Sequence, residues 1–219
     1  MSIPRPTFAR PSFLRAAGIG LAAALPLSLV AGALTASPAG AAAIYVADDL
    51  RGADTVTVAG QALAALRQGD RASFATLRQR LAALVAPPAG VDPLQLDTVW
   101  TRTDPARMTA LLSGLTQLGV PYRRMGTTPG EGFDCSGFTS WAWAQAGVAL
   151  PHQSGRQIRG AASVGLEQVQ PGDLLYYPGH VMMALGIGAA MVHSPNTGNV
   201  VEVKSMAGHR RLQAGNPIG

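Results

Sequence analysis

The chain has 219 residues, of which 47% are hydrophobic and only 13% charged, and its formal net charge is +5. Three arginines and no acidic residue lie in residues 1–43, so the rest of the chain carries +2, which is 5 − 3. So small a surplus gives little support for nucleic-acid binding, and we expect no nucleic-acid partner. A single cysteine, Cys135, also excludes an internal disulfide and is a candidate reactive thiol.

Residues 1–43 have the pattern of a secretory signal peptide. The arginines precede a long apolar stretch over residues 16–36, and a small-residue, alanine-rich exit follows. The apolar stretch is about long enough to span a bilayer, so an uncleaved membrane anchor is the alternative, although Pro26 interrupts it. We therefore expect an exported protein of the periplasm, the cell wall or the medium, with membrane contact only through a retained signal.

Residues 44–97 are predicted to form a helical prelude and a linker. A short strand is predicted at residues 55–58, and helical segments follow at residues 59–68 and 71–85. One apolar stripe of the second segment has helical spacing and must be buried: Phe74, Leu77, Leu81 and Leu84. The preferred interpretation packs this stripe on the following domain, and the alternatives are a partner-docking helix or one that partly covers a substrate groove.

Residues 98–219 have helical patterns first and short strand patterns after. Asp104 before a proline starts a helix that is predicted to reach Gly119, and Asp134 is placed to cap a helix that stops at Gly147. Strands are predicted at residues 174–177, 181–185, 190–193 and 200–203. This order predicts an α+β fold, in which N-terminal helices pack on a small antiparallel β-sheet.

Cys135 is the candidate nucleophile. It follows a glycine- and proline-rich loop over residues 126–132 and opens the helix that Asp134 is predicted to cap. A thiol in the first turn of a helix lies among unpaired N–H groups at the positive end of the helix dipole, which favours the thiolate. The alternative is a structural cysteine that packs as a small hydrophobe.

A cysteine nucleophile needs a base, and the base needs a group that orients it. His180 and His193 would face each other directly if the turn between their strands centres between Gly186 and Ile187. One imidazole could then fix the tautomer of the other, as the acid does in a serine-protease triad.

Other roles for these side chains are weighed against that arrangement. His180 and His193 could be two sheet histidines without a joint role, or they could bind zinc together with Cys135. The zinc alternative lacks paired-ligand spacing such as Cys-x-x-Cys, and we expect neither a metal nor another cofactor. His152 and His209 lack the paired geometry and are assigned to the surface or to packing.

Several short segments, in this order, resemble the NlpC-type cell-wall cysteine peptidases: residues 119–122, 133–137, 150–157, 171–174, 179–181 and 191–195. The resemblance implies a papain-like α+β fold and cleavage of peptidoglycan stem peptides between γ-linked D-glutamate and the next diamino acid. We expect an exported endopeptidase that acts through an acyl-enzyme, as a monomer, with the stem peptide as its substrate. The alternatives are a catalytically silent wall-binding module of the same fold, or a cell-wall amidase or acyltransferase with the same cysteine and histidine.

The resemblance assigns a role to each matching residue. Cys135 resembles the nucleophile, His180 the general base and later acid, and His193 the orienting third residue. Tyr122 resembles the tyrosine whose hydroxyl lies near the developing oxyanion together with the backbone N–H of the nucleophile. Asp134 and Ser136, the neighbours of the cysteine, also match the motif and can contact substrate. The first role assigned to Asp134 is that of a helix cap.

Three positions depart from the family pattern. Met125-Gly126 stands where paired glycines are usual, and Met182-Met183 stands where a glycine and an aliphatic residue are common. His152 replaces a common arginine. These changes put the shape of the substrate groove in doubt rather than the chemistry.

Overall fold

The structure is a computed structural model that describes the backbone of residues 39–219 and the side chains of residues 54–219. The predicted signal peptide, residues 1–43, lies almost wholly outside the described residues. Among the helices of this described part, none is both long enough and apolar enough to cross a bilayer.

Six α-helices and eight short strands are found in residues 39–219. The helices are α1 (Ala39–Gln68), α2 (Arg71–Ala89), α3 (Pro93–Thr101), α4 (Pro105–Leu115), α5 (Cys135–Ala144) and α6 (Ser154–Gly160). The strands are β1 (Thr127–Thr128), β2 (Gly132–Phe133), β3 (Ala162–Val164), β4 (Leu174–Tyr177), β5 (His180–Ala184), β6 (Ala190–His193), β7 (Glu202–Ser205) and β8 (Gln213–Asn216). β1 and β2 form a hairpin, and the other six form an antiparallel sheet in the order β3-β8-β4-β5-β6-β7. The predicted α+β architecture is confirmed.

Aspartate caps begin four of the helices. The side chain of Asp70 accepts the backbone N–H of Ser73 at the start of α2, and Asp104 caps α4 directly before Pro105. Asp134 caps α5, so the predicted starts after residues 69–70, at residue 104 and at residue 134 are confirmed. Asp92 caps α3, a helix that the sequence analysis did not identify.

Residues 55–58 are helical, so the predicted strand at this position is wrong. The alternating Thr-Val-Thr-Val pattern suggested a strand, but the buried residues follow a helical period instead. Thr55, Val58, Ala59 and Ala62 are all at most 6% exposed, and they lie on one face of α1. Burial of that face outweighs the strand propensity of valine and threonine.

Some predicted boundaries also shift. α4 ends at Leu115, before Gly119, because the chain then turns so that Gly119 donates its N–H to the carbonyl of Val201. This pairing with residues 119–121 moves the start of β7 from residue 200 to Glu202. α2 continues through Pro87 and Pro88 and ends at Ala89, and the next residue, Gly90, caps it in the left-handed conformation.

The apolar stripe of α2 packs into the core that α1 to α5 share with the sheet. Leu81 is fully buried, and Phe74, Leu77 and Leu84 are partly buried against the same core. α2 lies against β7, the edge strand of the sheet, and Arg78 forms an ion pair of 2.7 Å with Asp97 of α3. The prelude therefore supports one edge of the sheet.

Candidate active site

The start of α5 is held by a polar cap and by close backbone packing. One carboxylate oxygen of Asp134 accepts the N–H of Gly137 at 2.7 Å, and the other accepts the N–H of Met125 at 3.1 Å. The carbonyl of Gly126 lies against Gly137 so closely that no Cβ would fit there. These contacts fix the loop before Cys135 onto the first turn of α5.

Cys135 is half-buried at this helix start, and the backbone N–H of Val181 faces its sulfur. Burial raises the pKa of the Cys135 thiol, and the charge of Asp134 adds to this rise. The N–H groups of Val181 and of the first turn of α5 lower the pKa, but burial outweighs them. The helix start favours the thiolate, as expected, but burial has the larger effect, and the net pKa of the thiol lies above its ordinary value.

His180 and His193 contact each other directly. A hydrogen bond of 2.8 Å joins His180 Nε2 and His193 Nδ1, and each residue is 6% exposed. The predicted register is wrong by two residues, because Met183 pairs with Val192 between β5 and β6. The histidines are diagonal neighbours on one face of the sheet, and the length of their side chains closes the gap.

Both imidazoles are neutral near pH 7. Burial, followed by the neighbouring His193, lowers the pKa of His180 to about 4. Burial also lowers the pKa of His193, and a carboxylate on β7, Glu202, partly offsets this effect. A neutral His180 is in the protonation state that a general base needs.

Glu202 is a site residue that the sequence analysis missed. Its carboxylate Oε1 lies 3.4 Å from His193 Nε2, and the two residues are paired directly across β6 and β7. Lys204 contacts the same oxygen at 2.8 Å. A strand was predicted over residues 200–203, so only the β6–β7 register was needed to place this carboxylate beside His193.

Two tyrosines flank the thiol. Tyr122 is the tyrosine that the resemblance pointed to, and Tyr177 was not anticipated. Burial, followed by the charge of Cys135, raises the pKa of both hydroxyls. Tyr177 is paired with His180 across β4 and β5, with ring centroids 5.2 Å apart. His209 stacks on Tyr177 with a ring-centroid distance of 4.7 Å, so it packs at the border of the site.

Ser136 and His152 both contact the carboxylate of Asp134. The buried hydroxyl of Ser136 donates to Asp134 Oδ1 at 3.1 Å, so it is engaged inside the motif. His152 Nε2 lies 2.9 Å from both carboxylate oxygens, which corrects its assignment to the surface or to simple packing. The buried Gln157 donates to the carbonyl of Ser136 at 2.9 Å and so also holds the first turn of α5.

The described side chains contain no group of three or more histidine, cysteine, aspartate or glutamate residues arranged to hold a metal ion. The trio of the zinc alternative, Cys135, His180 and His193, therefore lacks the geometry of a metal site. What the trio does provide is a thiol near a neutral imidazole that is oriented by a second imidazole, which are the parts needed for nucleophilic catalysis.

Residues 119–213 match the model of the NlpC/P60 family. A probable endopeptidase of Mycobacterium tuberculosis is 44% identical over 103 residues, which cover 46% of this chain and 26% of that protein. A gamma-D-glutamyl-L-lysine dipeptidyl-peptidase of Bacillus cereus is 38% identical over 107 residues, which cover 45% of this chain and 32% of that protein. The chain thus spans about a quarter to a third of the length of these relatives.

Solved structures of the same family are also similar. A crystal structure of an NlpC/P60 family protein from Bacillus cereus is 32% identical with a TM-score of 0.48, over 53% of this chain and 42% of that one. The NlpC/p60 domain of the peptidoglycan hydrolase SagA is 31% identical with a TM-score of 0.45, over 50% of this chain and 97% of that one. Residues 119–213 of this chain are therefore an NlpC/P60 family domain.

Proposed function

We propose that this chain is an exported peptidoglycan hydrolase, a cysteine endopeptidase that cleaves the bond between γ-D-glutamate and the next diamino acid of a stem peptide. The proposal rests on the hydrogen bond of 2.8 Å between His180 and His193, which lies beside the only cysteine of the chain. The choice of bond is supported by the relatives from Bacillus cereus and Bacillus subtilis, which are named as gamma-D-glutamyl-L-lysine dipeptidyl-peptidases.

In the first half-reaction, a neutral thiol attacks with the help of a neutral base. His180 Nε2 is bonded to His193, so His180 Nδ1 is the nitrogen left to take the thiol proton. The sulfur of Cys135 bonds to the γ-glutamyl carbonyl carbon, and the oxyanion forms near the Tyr122 hydroxyl and the backbone N–H of Cys135. The imidazolium then protonates the leaving amine, the C–N bond breaks, and a thioester remains.

In the second half-reaction, water releases the acyl group. His180 is neutral again after the amine has left, and it takes a proton from a water molecule that attacks the thioester carbon. The tetrahedral intermediate expels the sulfur of Cys135, which regains a proton from the imidazolium. The products are a peptide that ends in glutamate or isoglutamine and a peptide that begins with the diamino acid.

A digest of purified peptidoglycan, analysed by mass spectrometry beside Cys135→Ala and Cys135→Ser, tests this function. We expect fragments that end in glutamate or isoglutamine, and none of them from either variant. Fragments cut elsewhere in the wall by the parent protein alone would instead indicate an amidase or transferase. Intact muropeptides from all three proteins, with the protein retained on sedimented wall, would contradict an enzyme and favour a binding module.

Export is part of the proposal and has its own test. The expected product is a protein outside the cytoplasm whose N-terminus lies near residue 44, determined by N-terminal sequencing of each cell fraction. A full-length chain in the membrane fraction would mean that residues 16–36 are retained as an anchor. A full-length chain in the cytoplasm would contradict export.

A further inference from the structure

The carboxylate of Glu202 ends a chain of contacts that leads to the thiol. Glu202 Oε1 lies 3.4 Å from His193 Nε2, and His193 Nδ1 lies 2.8 Å from His180 Nε2. Three adjacent strands, β7, β6 and β5, carry these residues, and the direct pairing of His193 with Glu202 keeps their side chains on one face. The backbone of Val181, next to His180, faces the Cys135 sulfur.

The bonds between these groups determine where each proton lies. An ionised carboxylate can only accept hydrogen bonds, so His193 carries its proton on Nε2 and donates it to Glu202. The other nitrogen of His193, Nδ1, is then an acceptor and takes its bond from a proton on His180 Nε2. This leaves His180 Nδ1 without a proton, as a base for a thiol must be.

The opposite proton pattern would disable the base. Without an acceptor at position 202, His193 can carry its proton on Nδ1 and donate it to His180 Nε2. His180 Nδ1 would then hold a proton itself and could not take one from Cys135. Only a fixed acceptor beyond His193 discriminates between these two patterns, and Glu202 is the residue that contacts His193 Nε2.

We propose that Glu202 is a positioning residue that fixes the tautomers of His193 and His180 and so keeps His180 Nδ1 free to deprotonate Cys135. The proposal rests on the proposed function for its effect on turnover, but the proton pattern itself exists without substrate. Glu202 does not touch the reacting atoms and acts only through the two histidines. Its charge also favours the imidazolium that forms when His180 takes the thiol proton.

Few charged or titratable groups act on His193. His180 faces it from β5, Cys135 belongs to the packed helix α5, and both Glu202 and Lys204 come from β7. Glu202 raises the pKa of His193, whereas Lys204 lowers it. Removal of Glu202 should therefore move the acid limb of the pH profile of kcat/KM to lower pH. Removal of Lys204 should move it to higher pH.

The variants are Glu202→Leu, Glu202→Gln and the matched control Lys204→Leu. We expect leucine to be tolerated at position 202, because that residue lines a groove whose other lining residues are uncharged, among them Val201, Val203 and Leu84. Glutamine keeps an acceptor oxygen but loses the charge. Lys204 contacts Glu202 but not His193, so its replacement alters the same part of β7 and leaves the chain of contacts intact.

Nitrogen-15 NMR of histidine-labelled protein reads the tautomers directly. We expect His180 with its proton on Nε2 in the parent protein and in Lys204→Leu, and a mixture of tautomers in Glu202→Leu. Alkylation of Cys135, the only cysteine, by iodoacetamide reports the same base without substrate and should be slowest in Glu202→Leu. Unchanged His180 and His193 signals in Glu202→Leu would overturn the inference.

Turnover of stem peptide completes the test. Loss of an outer carboxylate that orients a functional histidine typically costs about 10- to 100-fold, and we expect such a fall in kcat/KM for Glu202→Leu, carried by kcat. Glu202→Gln should recover part of it, and Lys204→Leu should stay within about twofold because its bond is exposed. If the parent protein cleaves nothing, the proposed function fails, while the NMR and alkylation results still decide the role of Glu202.

Discussion

The two halves of the candidate site are built in different ways. The nucleophile side, which is the loop over residues 125–134 and the first turn of α5, is held by contacts between residues close in sequence, such as Asp134 with Gly137. The base side, which is His180, His193 and Glu202 on three strands, is held by pairing between distant segments and supported by α2. A local substitution should therefore damage the first side, and the packing of a remote helix should matter to the second.

Gly137→Ala should damage the nucleophile side most. A Cβ at residue 137 would overlap the backbone carbonyl of Gly126, which is itself confined by the carbonyl of Gly132. We expect the unfolding free energy to fall by about 3 kcal/mol and kcat/KM to fall by about 100-fold, since a displaced nucleophile is costly. Denaturant unfolding and muropeptide turnover measure both effects.

Gly147→Ala is the control for Gly137→Ala. Gly147 lies just after the end of α5, at a φ of 79°, and a Cβ there would meet nothing within 4 Å. It should cost about 1 kcal/mol of backbone strain and leave kcat/KM unchanged. Equal activity losses in the two variants would show that the fit of Gly137 against Gly126 is not what places Cys135.

Leu81→Ala tests whether the base side depends on α2. Leu81 is fully buried in the shared core, and α2 lies against β7, which carries Glu202. Loss of a buried leucine should lower the unfolding free energy by about 3 kcal/mol. Leu94→Ala, at a side chain that is 78% exposed on α3, should change it by less than about 0.5 kcal/mol.

The same packing predicts the behaviour of a shortened chain. A protein that begins at residue 98 lacks the buried Leu81 and Val85 and the helix that lies against β7. We expect a lower Tm and aggregation, measured by thermal unfolding, rather than the gain in turnover that a groove-covering prelude would give. A stable and more active shortened protein would support the groove-covering alternative.

Acid should destabilise the base side selectively. The pKa of His180 is about 4 in the folded protein, whereas its ordinary value, which applies to the unfolded chain, is 6.5. As the pH falls, the unfolded chain therefore binds a proton at this residue before the folded protein does. Stability should therefore decline from about pH 6.5 to about pH 4, by up to about 3 kcal/mol. Urea unfolding at several pH values measures this slope, and His180→Gln should remove most of it.

The same division explains what the sequence could predict. The cap of Asp134 and the helix start at Cys135 follow local rules of capping and periodicity and were predicted correctly, although the helix ends at Ala144 rather than at Gly147. The register that brings His180 to His193 depends on how a turn of several residues closes between β5 and β6, and no local rule determines that closure. Glu202 was missed for the same reason, because its role exists only through strand pairing.

Burial was the other quantity that local rules could not supply. The start of α5 suggested a thiolate, but its effect on the pKa of Cys135 is smaller than that of burial, which comes from the whole fold. Likewise, residues 55–58 have a strand-like pattern, and their helical conformation follows from a buried face that only the packed α1 reveals. Sequence patterns therefore predicted the position of the Asp134 cap and of the helix start better than the charge state of the thiol.

Met125→Gly should have the smallest effect, and its sign is informative. Met125 is the only non-glycine residue with a positive φ, 60°, among the described residues, and it is 69% exposed in the loop of the nucleophile side. Glycine at this position relieves about 1 kcal/mol of left-handed strain. It also makes the unfolded chain more flexible, which lowers the stability by a similar amount. Because the N–H that binds Asp134 is kept, we expect no change or a slight gain in the unfolding free energy.

The neighbouring Arg124→Gly gives the contrast, because it adds the same flexibility without relieving strain. It should lower the unfolding free energy by about 0.5 to 1 kcal/mol, so the two variants should differ in denaturation midpoint by a measurable amount. Equal losses in both would mean that the left-handed backbone at Met125 carries no strain. A gain confined to Met125→Gly would show that the left-handed backbone at residue 125 is strained, and that the methionine side chain is kept there at a cost in stability.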